Sequence, residues 1–330
     1  MAVTCTVAFP YQLPASVVIT FSHLKELVLY DVSGMASLAL DCPCLKKLSV
    51  TLFNGGLEDV DLHLPEAEEI ILGSYGLNYL RVFAPRTQKL SVRWKDPMQV
   101  LELDCPAVVD LTLDFCTSLE DIELAYFVQS CPLVHTLTIE YGFKLTPEGL
   151  EAAMRGWSNL TCLSLRDTGG GSHITNLHAS CPNLKSFSLW TSSKQKGQFT
   201  DAEEDFEMPS WVELLGRSLG ALAGAEWISC GGPEFSAEVL IDVLAQCVSC
   251  HSMHIIFTEG EPVLDLPGLP FLYVSASQLR CFTLSNMSLS SVTCPKYSSW
   301  HQLEVLKITG CESLANVCLD CPNLKELNLR

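Results

Sequence analysis

Cys42-Pro43-Cys44-Leu45-Lys46-Lys47-Leu48-Ser49-Val50 and Cys105-Pro106-Ala107-Val108-Val109-Asp110-Leu111-Thr112-Leu113 are two copies of one pattern, Cys-Pro-x-Leu-x-x-Leu-x-Leu. In it, Leu stands for Leu, Val, Ile, Phe or Met. Cys131-Pro132-Leu133-Val134, Cys181-Pro182-Asn183-Leu184 and Cys321-Pro322-Asn323-Leu324 open three more. Copies without the Cys-Pro pair begin at Leu24, Ala67, Thr87, Leu160, Leu222, Cys250, Leu279 and Leu303. Successive first anchors lie 20 to 29 residues apart, save one interval of 38 between Leu184 and Leu222.

The last two aliphatic positions of each copy are two residues apart, so they share one face of a short strand. A single strand of this kind cannot bury that face alone. Stacked copies can, each against its neighbours, with the strands running parallel in one sheet. Proline sits just ahead of the strand, where its missing N–H does least harm to the ladder. The period falls in the range of leucine-rich repeats. The expected fold is α/β: a leucine-rich-repeat solenoid with a curved parallel sheet, covering 24–330. Residues 1–23 are expected to form an N-terminal segment or partial capping repeat.

The return path differs along the chain. Leu38-Ala39-Leu40, Val60-Asp61-Leu62-His63-Leu64 and Leu101-Glu102-Leu103 alternate with period two and predict extended returns in the short N-terminal repeats. Longer copies have room for helix. Thr146 to Met154 reads as a capped helix, with Thr146 as N-cap and Pro147 at the first position. Ser236 to Ala245 places Val239, Leu240 and Val243 on one helical face. The interval of 38 contains a polar acidic insertion at 191–210, with Asp201, Glu203, Glu204, Asp205 and Glu207. It is either a solvated loop or a binding element on one side of the solenoid. Leu324, Leu327 and Leu329 form a fresh strand with no polar cap after it, so a chain truncated at its C-terminus is expected.

The repeat resembles the cysteine-containing class of leucine-rich repeats. The resemblance rests on the Cys-Pro strands, on Gly310-Cys311-Glu312-Ser313-Leu314, on Asp110-Leu111-Thr112-Leu113-Asp114-Phe115-Cys116, and on Leu145-Thr146-Pro147-Glu148-Gly149-Leu150 as a helix opening. It covers about Leu24 to Arg330. That class is typical of F-box proteins, whose repeats hold the substrate of a cullin-type ubiquitin ligase. The resemblance therefore implies substrate recognition on the concave sheet face, with the ligase adaptor reached through an upstream F-box. The 23 residues before Leu24 do not read as the three helices of that element. A stand-alone scaffold is the other interaction role that the repeats fit.

Composition narrows the partners. The formal net charge is −18, and no basic footprint is visible of the kind a nucleic-acid binder needs. Nucleic acid and anionic membranes are therefore not expected as partners. The acidic balance reads as solubility or as steering of a basic partner. Met1 to Pro10 carry no Lys or Arg, so a secretory leader is not recognised. The 16 cysteines then read as reduced residues of a cytoplasmic or nuclear protein. Cys42, Cys105, Cys131, Cys181 and Cys321 recur at one repeat position and act there as small buried groups. Cys44, Cys162 and Cys281 leave that column and are expected nearer the surface.

Catalytic and metal chemistry find little support. There is no Gly-x-Ser-x-Gly elbow, P-loop or His-Glu-x-x-His helix, so neither an enzyme nor a cofactor is expected. Cys247-Val248-Ser249-Cys250-His251-Ser252-Met253-His254 superficially resembles a zinc half-site. The register splits it, however, with Cys250 inward and His254 outward, and no metal is expected. Gly169-Gly170-Gly171 lacks a phosphate-binding context and reads as a loop. A small-molecule co-receptor would want converging basic residues, and only Arg93, Arg166 and Lys307 are prominent on the sheet face.

The candidate surface follows from register. The residue between the last two aliphatic positions faces solvent: Ser91, Thr112, Thr138, Ser164, Ser188, Glu226, His254 and Lys307 belong to this floor column. Two residues on lies a second column, with Arg93, Asp114, Glu140, Arg166, Trp190, Ile228 and Ile256. Strands about 4.8 Å apart would set Arg93, Asp114, Glu140 and Arg166 in a run of opposed charges ending at Trp190. This stripe, with His254, is the expected site for a protein partner.

Overall fold

The computed structural model describes residues 4–8, 15–30, 34–52, 56–168, 181–190, 226–231, 250–256, 279–285, 291–293, 300–310, 316–318 and 321–329. They form parallel β-solenoid coils with few helices, in two compact units. The first comprises Met1–Leu160 and Thr168–Gly170; the second comprises Thr161–Asp167 and Gly171–Arg330.

The first unit alternates between two parallel sheets. The main sheet contains β1 (Thr4–Ala8), β3 (Glu26–Tyr30), β5 (Lys47–Leu52), β7 (Glu69–Ser74), β9 (Lys89–Arg93), β11 (Asp110–Asp114) and β12 (Thr136–Glu140), in that order. The second sheet contains β2 (Ser16–Ile19), β4 (Ser37–Asp41), β6 (Asp59–His63), β8 (Tyr79–Phe83) and β10 (Val100–Asp104). The extended returns anticipated at Leu38–Leu40, Val60–Leu64 and Leu101–Leu103 are thus β4, β6 and β10. Residues 1–23 contain β1 and β2, and β1 pairs with β3. Leu48, Val50, Leu111 and Leu113 are buried. So are Leu38, Leu40, Val60 and Leu62 on the second sheet. These two aliphatic faces supply the unit's core, at about 25 cal/mol per Å² of apolar surface removed from water.

The Cys-Pro pair has a defined job. Leu45 N–H donates to Cys42 O at 3.0 Å, and Val108 N–H to Cys105 O at 3.2 Å. Each pair opens a β-turn, with Pro at the second position, where its fixed φ is already correct. The same turn forms at Leu64-Pro65-Glu66-Ala67 and Ala84-Pro85-Arg86-Thr87. In these copies buried Leu64 and Ala84 take the cysteine's place.

Among the described residues of the first unit, two helices take the place of the second sheet in the 26-residue repeats that begin at Val108 and Val134. α1 (Asp121–Ser130) buries Leu124 and Phe127. The sequence reading did not anticipate it, because Ile122 is exposed and its apolar stripe is short. α2 (Pro147–Gly156) is the anticipated helix: Thr146 caps it by accepting from Gly149 N–H at 3.1 Å. Asp121 of α1 binds the same cap, accepting from Thr146 N–H at 2.9 Å and from Thr146 Oγ1–H at 2.6 Å. A Cβ on Gly149 would lie 2.0 Å from that carboxylate, and one on Gly156 would lie 2.3 Å from Val128 Cγ1. Glycine at both places lets the helices stack.

The second unit has β13 (Cys162–Arg166), β14 (Ser186–Trp190), β15 (Trp227–Gly231), β16 (Ser252–Ile256), β17 (Cys281–Ser285), β19 (Val305–Thr309) and β21 (Glu326–Leu329) in one parallel sheet. β18 (Ser291–Thr293) pairs with β20 (Asn316–Cys318) in another. The anticipated helix at 236–245, the insertion at 191–210 and the glycine run at 169–171 lie outside the described residues.

Register corrects one repeat. Ile228 pairs with Phe187 and Met253, both buried, and Ser229 pairs with Ser188 and His254. The strand therefore starts three residues later than the Leu222 anchor predicts. Ile228 sits in the aliphatic column, not beside Trp190. Glu226 precedes the strand and pairs with Lys185 at 3.3 Å, so it is not part of the floor. Leu222, Ala225 and Trp227 fit the pattern about as well as Ala225, Ile228 and Cys230, so apolar spacing alone left the strand start undetermined. Among the turn cysteines, Cys42, Cys105, Cys131 and Cys181 are buried, whereas Cys321 is only half-buried.

Candidate functional site

In the first unit the outer face of the main sheet carries two columns. Ser49, Ile71, Ser91 and Thr112 are brought into line by strand register, and Thr138 continues them. All are half-buried except Ile71, which is exposed. The aliphatic residues flanking them point the other way. The result is a floor of short, mostly hydroxyl-bearing side chains on a rigid support.

The second column holds the charged residues. Arg93 and Asp114 are register partners. Arg93 Nε–H donates to Asp114 Oδ2 at 2.8 Å, and Nη2 bonds the same oxygen. The predicted pairing across strands is therefore present, worth about 0.2–1 kcal/mol for an opposed pair. Asp114 Oδ1 is buried and has no hydrogen-bond partner among the described residues. An acceptor so placed costs desolvation energy unless a donor reaches it. Glu140 ends the neighbouring strand and is half-buried.

Aromatic side chains that the sequence reading did not single out surround this pair. Arg93 Cζ lies 5.2 Å from the centroid of the Phe115 ring, within cation–π range. Phe115 packs against Tyr141, with ring centroids 4.4 Å apart. Tyr75 meets Phe115, and Phe143 meets Tyr141, each at 6.2 Å and edge-on. The four rings are half-buried. A signal existed: Asp114-Phe115 and Glu140-Tyr141 place a carboxylate and then a ring at the same repeat position, directly after the strand.

These strand ends have unusual backbones. Phe115 has φ 53° and Tyr141 has φ 61°, in the left-handed region. For residues with a side chain that region costs roughly 1–2 kcal/mol each, and for bulky residues it is a true outlier. In the second unit Asp167 (φ 50°) and Gly310 (φ 66°) follow β13 and β19 in the same way. The conformation belongs to the turn that leaves each of these strands.

In the second unit Arg166 and Trp190 are register partners. Trp190 is half-buried, and its Nε1–H donates to Ser188 Oγ at 3.0 Å; Ser188, expected to face solvent in the floor column, is buried instead. Along the column Trp190 is followed by Gly231, Ile256 and Ser285. His254 lies in the floor between Ser229 and Thr283. Its Nε2 is 3.1 Å from Ser252 Oγ. Burial, and secondarily the Lys307 ammonium, holds its pKa below the ordinary 6.5.

Cys250 is buried and directs its thiol to Ser252 O at 3.2 Å, whereas His254 is on the half-exposed side. Cys247 to Ser249 lie outside the described residues. Among the described residues no cluster of three or more His, Cys, Asp or Glu is placed to hold a metal ion, and no helix is long and apolar enough to cross a membrane.

No protein-family model matches the chain, and no curated protein matches it. Among solved structures it is similar to one described as "Crystal structure of TLR13-ssRNA13 complex", with 14% identity and a TM-score of 0.42. The similarity covers 94% of this chain and 54% of that one, so the chain spans about half the length of its solved neighbour.

Proposed function

We propose that this chain is a non-catalytic protein-interaction module that offers the outer faces of its main sheets to a protein partner. One observation carries the reading. Val92, Leu111, Leu113, Leu137 and Ile139 are fully buried, while Arg93, Thr112, Asp114, Thr138 and Glu140 on the same three strands stay half-exposed. The core thus fixes the backbone beneath a surface of polar, charged and aromatic groups. Rigid presentation lowers the ordering cost of association.

The more specific role is substrate recognition within a cullin-type ubiquitin ligase. Its support is the likeness of the repeats to the cysteine-containing class, including buried Cys116 after β11. Affinity purification of the full-length endogenous protein with mass spectrometry tests it. Co-recovery of a cullin adaptor is expected; recovery of a stable partner without one makes the protein a scaffold instead. In the second unit, Trp190→Ala is expected to weaken capture of that partner about tenfold or more, the scale of a hot-spot aromatic, with an unchanged melting temperature. Equal capture by mutant and wild type removes the Trp190 stripe from the interface.

A further inference from the structure

We infer that β2, the outer strand of the second sheet, is a dimer edge: it pairs antiparallel with the β2 of a second copy of this chain, in a register centred on Val18. This surface is distinct from the outer faces of the main sheets, so the inference goes beyond the reading above.

Three observations point to this occupant. First, the edge is open and apolar. β2 ends the second sheet among the described residues. Val17 and Ile19 stand in register with Leu38 and Leu40, yet they are half-buried where those two are buried. Val18 is 71% exposed, and Phe21 just beyond it is 53% exposed. Other sheet ends are protected. At the far end of the same sheet, Leu103 N–H donates to Tyr126 Oη of α1 at 3.3 Å. At the start of β21, Lys325 pairs with Glu304 at 2.7 Å and Glu326 with Lys307 at 3.0 Å. Cover and charge are the usual protections of an edge strand, and among the described residues β2 shows neither.

Second, the electrostatics favour a copy over a foreign basic segment. Residues 1–22 contain no Asp, Glu, Lys, Arg or His, in a chain of net charge −18. Two copies repel across most of their surfaces, but at this stretch they meet with no like charges opposed. A basic segment finds no carboxylate here to pair with.

Third, the strand is self-complementary in register. Ala15 O accepts from Ser37 N–H of β4 at 2.8 Å. Backbone groups alternate in direction along a strand, so Ala15, Val17 and Ile19 turn theirs towards β4, and Ser16, Val18 and Thr20 turn theirs to the free edge. Antiparallel pairing centred on Val18 joins those outward groups: Val18 meets Val18 of the second copy, and Ser16 meets its Thr20. The same register sets Val17 opposite Ile19 of the second copy on the inner side, so the two aliphatic layers become continuous. A twofold contact of this kind consumes both edges and closes the assembly at two chains.

Sedimentation equilibrium of the whole protein tests this. Wild type is expected to dimerise in the micromolar range. Val18→Lys is expected to be monomeric, because like charges then face each other across the axis. Leu329→Lys, at a residue exposed on β21, is expected to dimerise as wild type does. Two double variants read the register. Ser16→Lys/Thr20→Glu sets opposite charges across the edge, and Ser16→Lys/Thr20→Lys sets like charges there. The first should dimerise about tenfold more tightly, although the second lowers the chain's net negative charge. Circular dichroism matching wild type shows that each variant is folded. A monomeric wild type, a dimer that survives Val18→Lys or is dissolved by Leu329→Lys, or equal affinity of the two double variants would each overturn the proposal. A monomer that captures a different protein only while Val18 is intact would assign the edge to a foreign strand, and would overturn it too.

Discussion

Cys105 sits at the first position of a Pro turn, fully buried, and burial pushes its thiol up to about 12. Cys181 is likewise raised to about 12, and Cys131 is raised further by burial next to Cys105. The thiolate is the reactive species, so these three should resist alkylation in the folded protein at neutral pH. Among the described residues, half-exposed Cys44, Cys162, Cys281 and Cys321 should react before them. Peptide mapping after brief iodoacetamide treatment checks this, and early labelling of Cys105 would contradict it. His254 gives a second test. Its folded pKa lies below 6.5, so the unfolded chain takes up a proton first as the pH falls. The stability tied to its neutral form is complete above 6.5 and is lost as the pH drops from there to the folded pKa. The ring resonances of His254 should titrate with a midpoint below 6.5; a midpoint above it would contradict the site's geometry. The inward or outward sense of these residues was legible in the sequence because a two-residue period fixes it. The ring contacts of Phe115 and Tyr141 were not, because they depend on a left-handed turn that no spacing rule marks.

Between elements, the stack of α1 on α2 makes the sharper prediction. Glycine to alanine inside a helix ordinarily gains about 1 kcal/mol. At Gly149 the sign should reverse, because the new methyl would press on the Asp121 carboxylate, which Thr146 N–H and Oγ1–H hold in place. Gly149→Ala should destabilise by about 1–3 kcal/mol, the scale of overpacking. Denaturant unfolding reads it, and a gain in stability would show that Asp121 is free to move. Helix α2 was legible from its N-cap and proline. Helix α1 was missed because its inward stripe is short: Leu124 and Phe127 are buried but Ile122 faces water. The strand at Trp227–Gly231 was placed three residues early because alanine in the pattern weighs little for or against burial.

Across the chain, the coiling of short parallel strands followed from the recurrence of the aliphatic triplet, and the fold class needed nothing more. The second sheet of the first unit also followed, since repeats of 20 to 22 residues leave no room for helices. What recurrence cannot supply is the partner, because the outer columns are free to vary without harm to the core. A basic partner drawn by net charge −18 should bind less tightly as salt rises, since screening shortens the reach of exposed charges. Isothermal titration with the purified partner at 50 and 300 mM salt would register this.

The central claim is that adjacent residues on one strand have opposite fates, one held in the core and the next left open to a partner. Thermal unfolding of Leu111→Arg beside Thr112→Arg tests it most directly, since Leu111 is fully buried and Thr112 is half-exposed. Thr112→Arg should melt within a few degrees of wild type (roughly 1 kcal/mol). Leu111→Arg, with an unpaired charge in the core, should not fold at room temperature. Equal losses in the two variants, or a stable Leu111→Arg, would contradict the account.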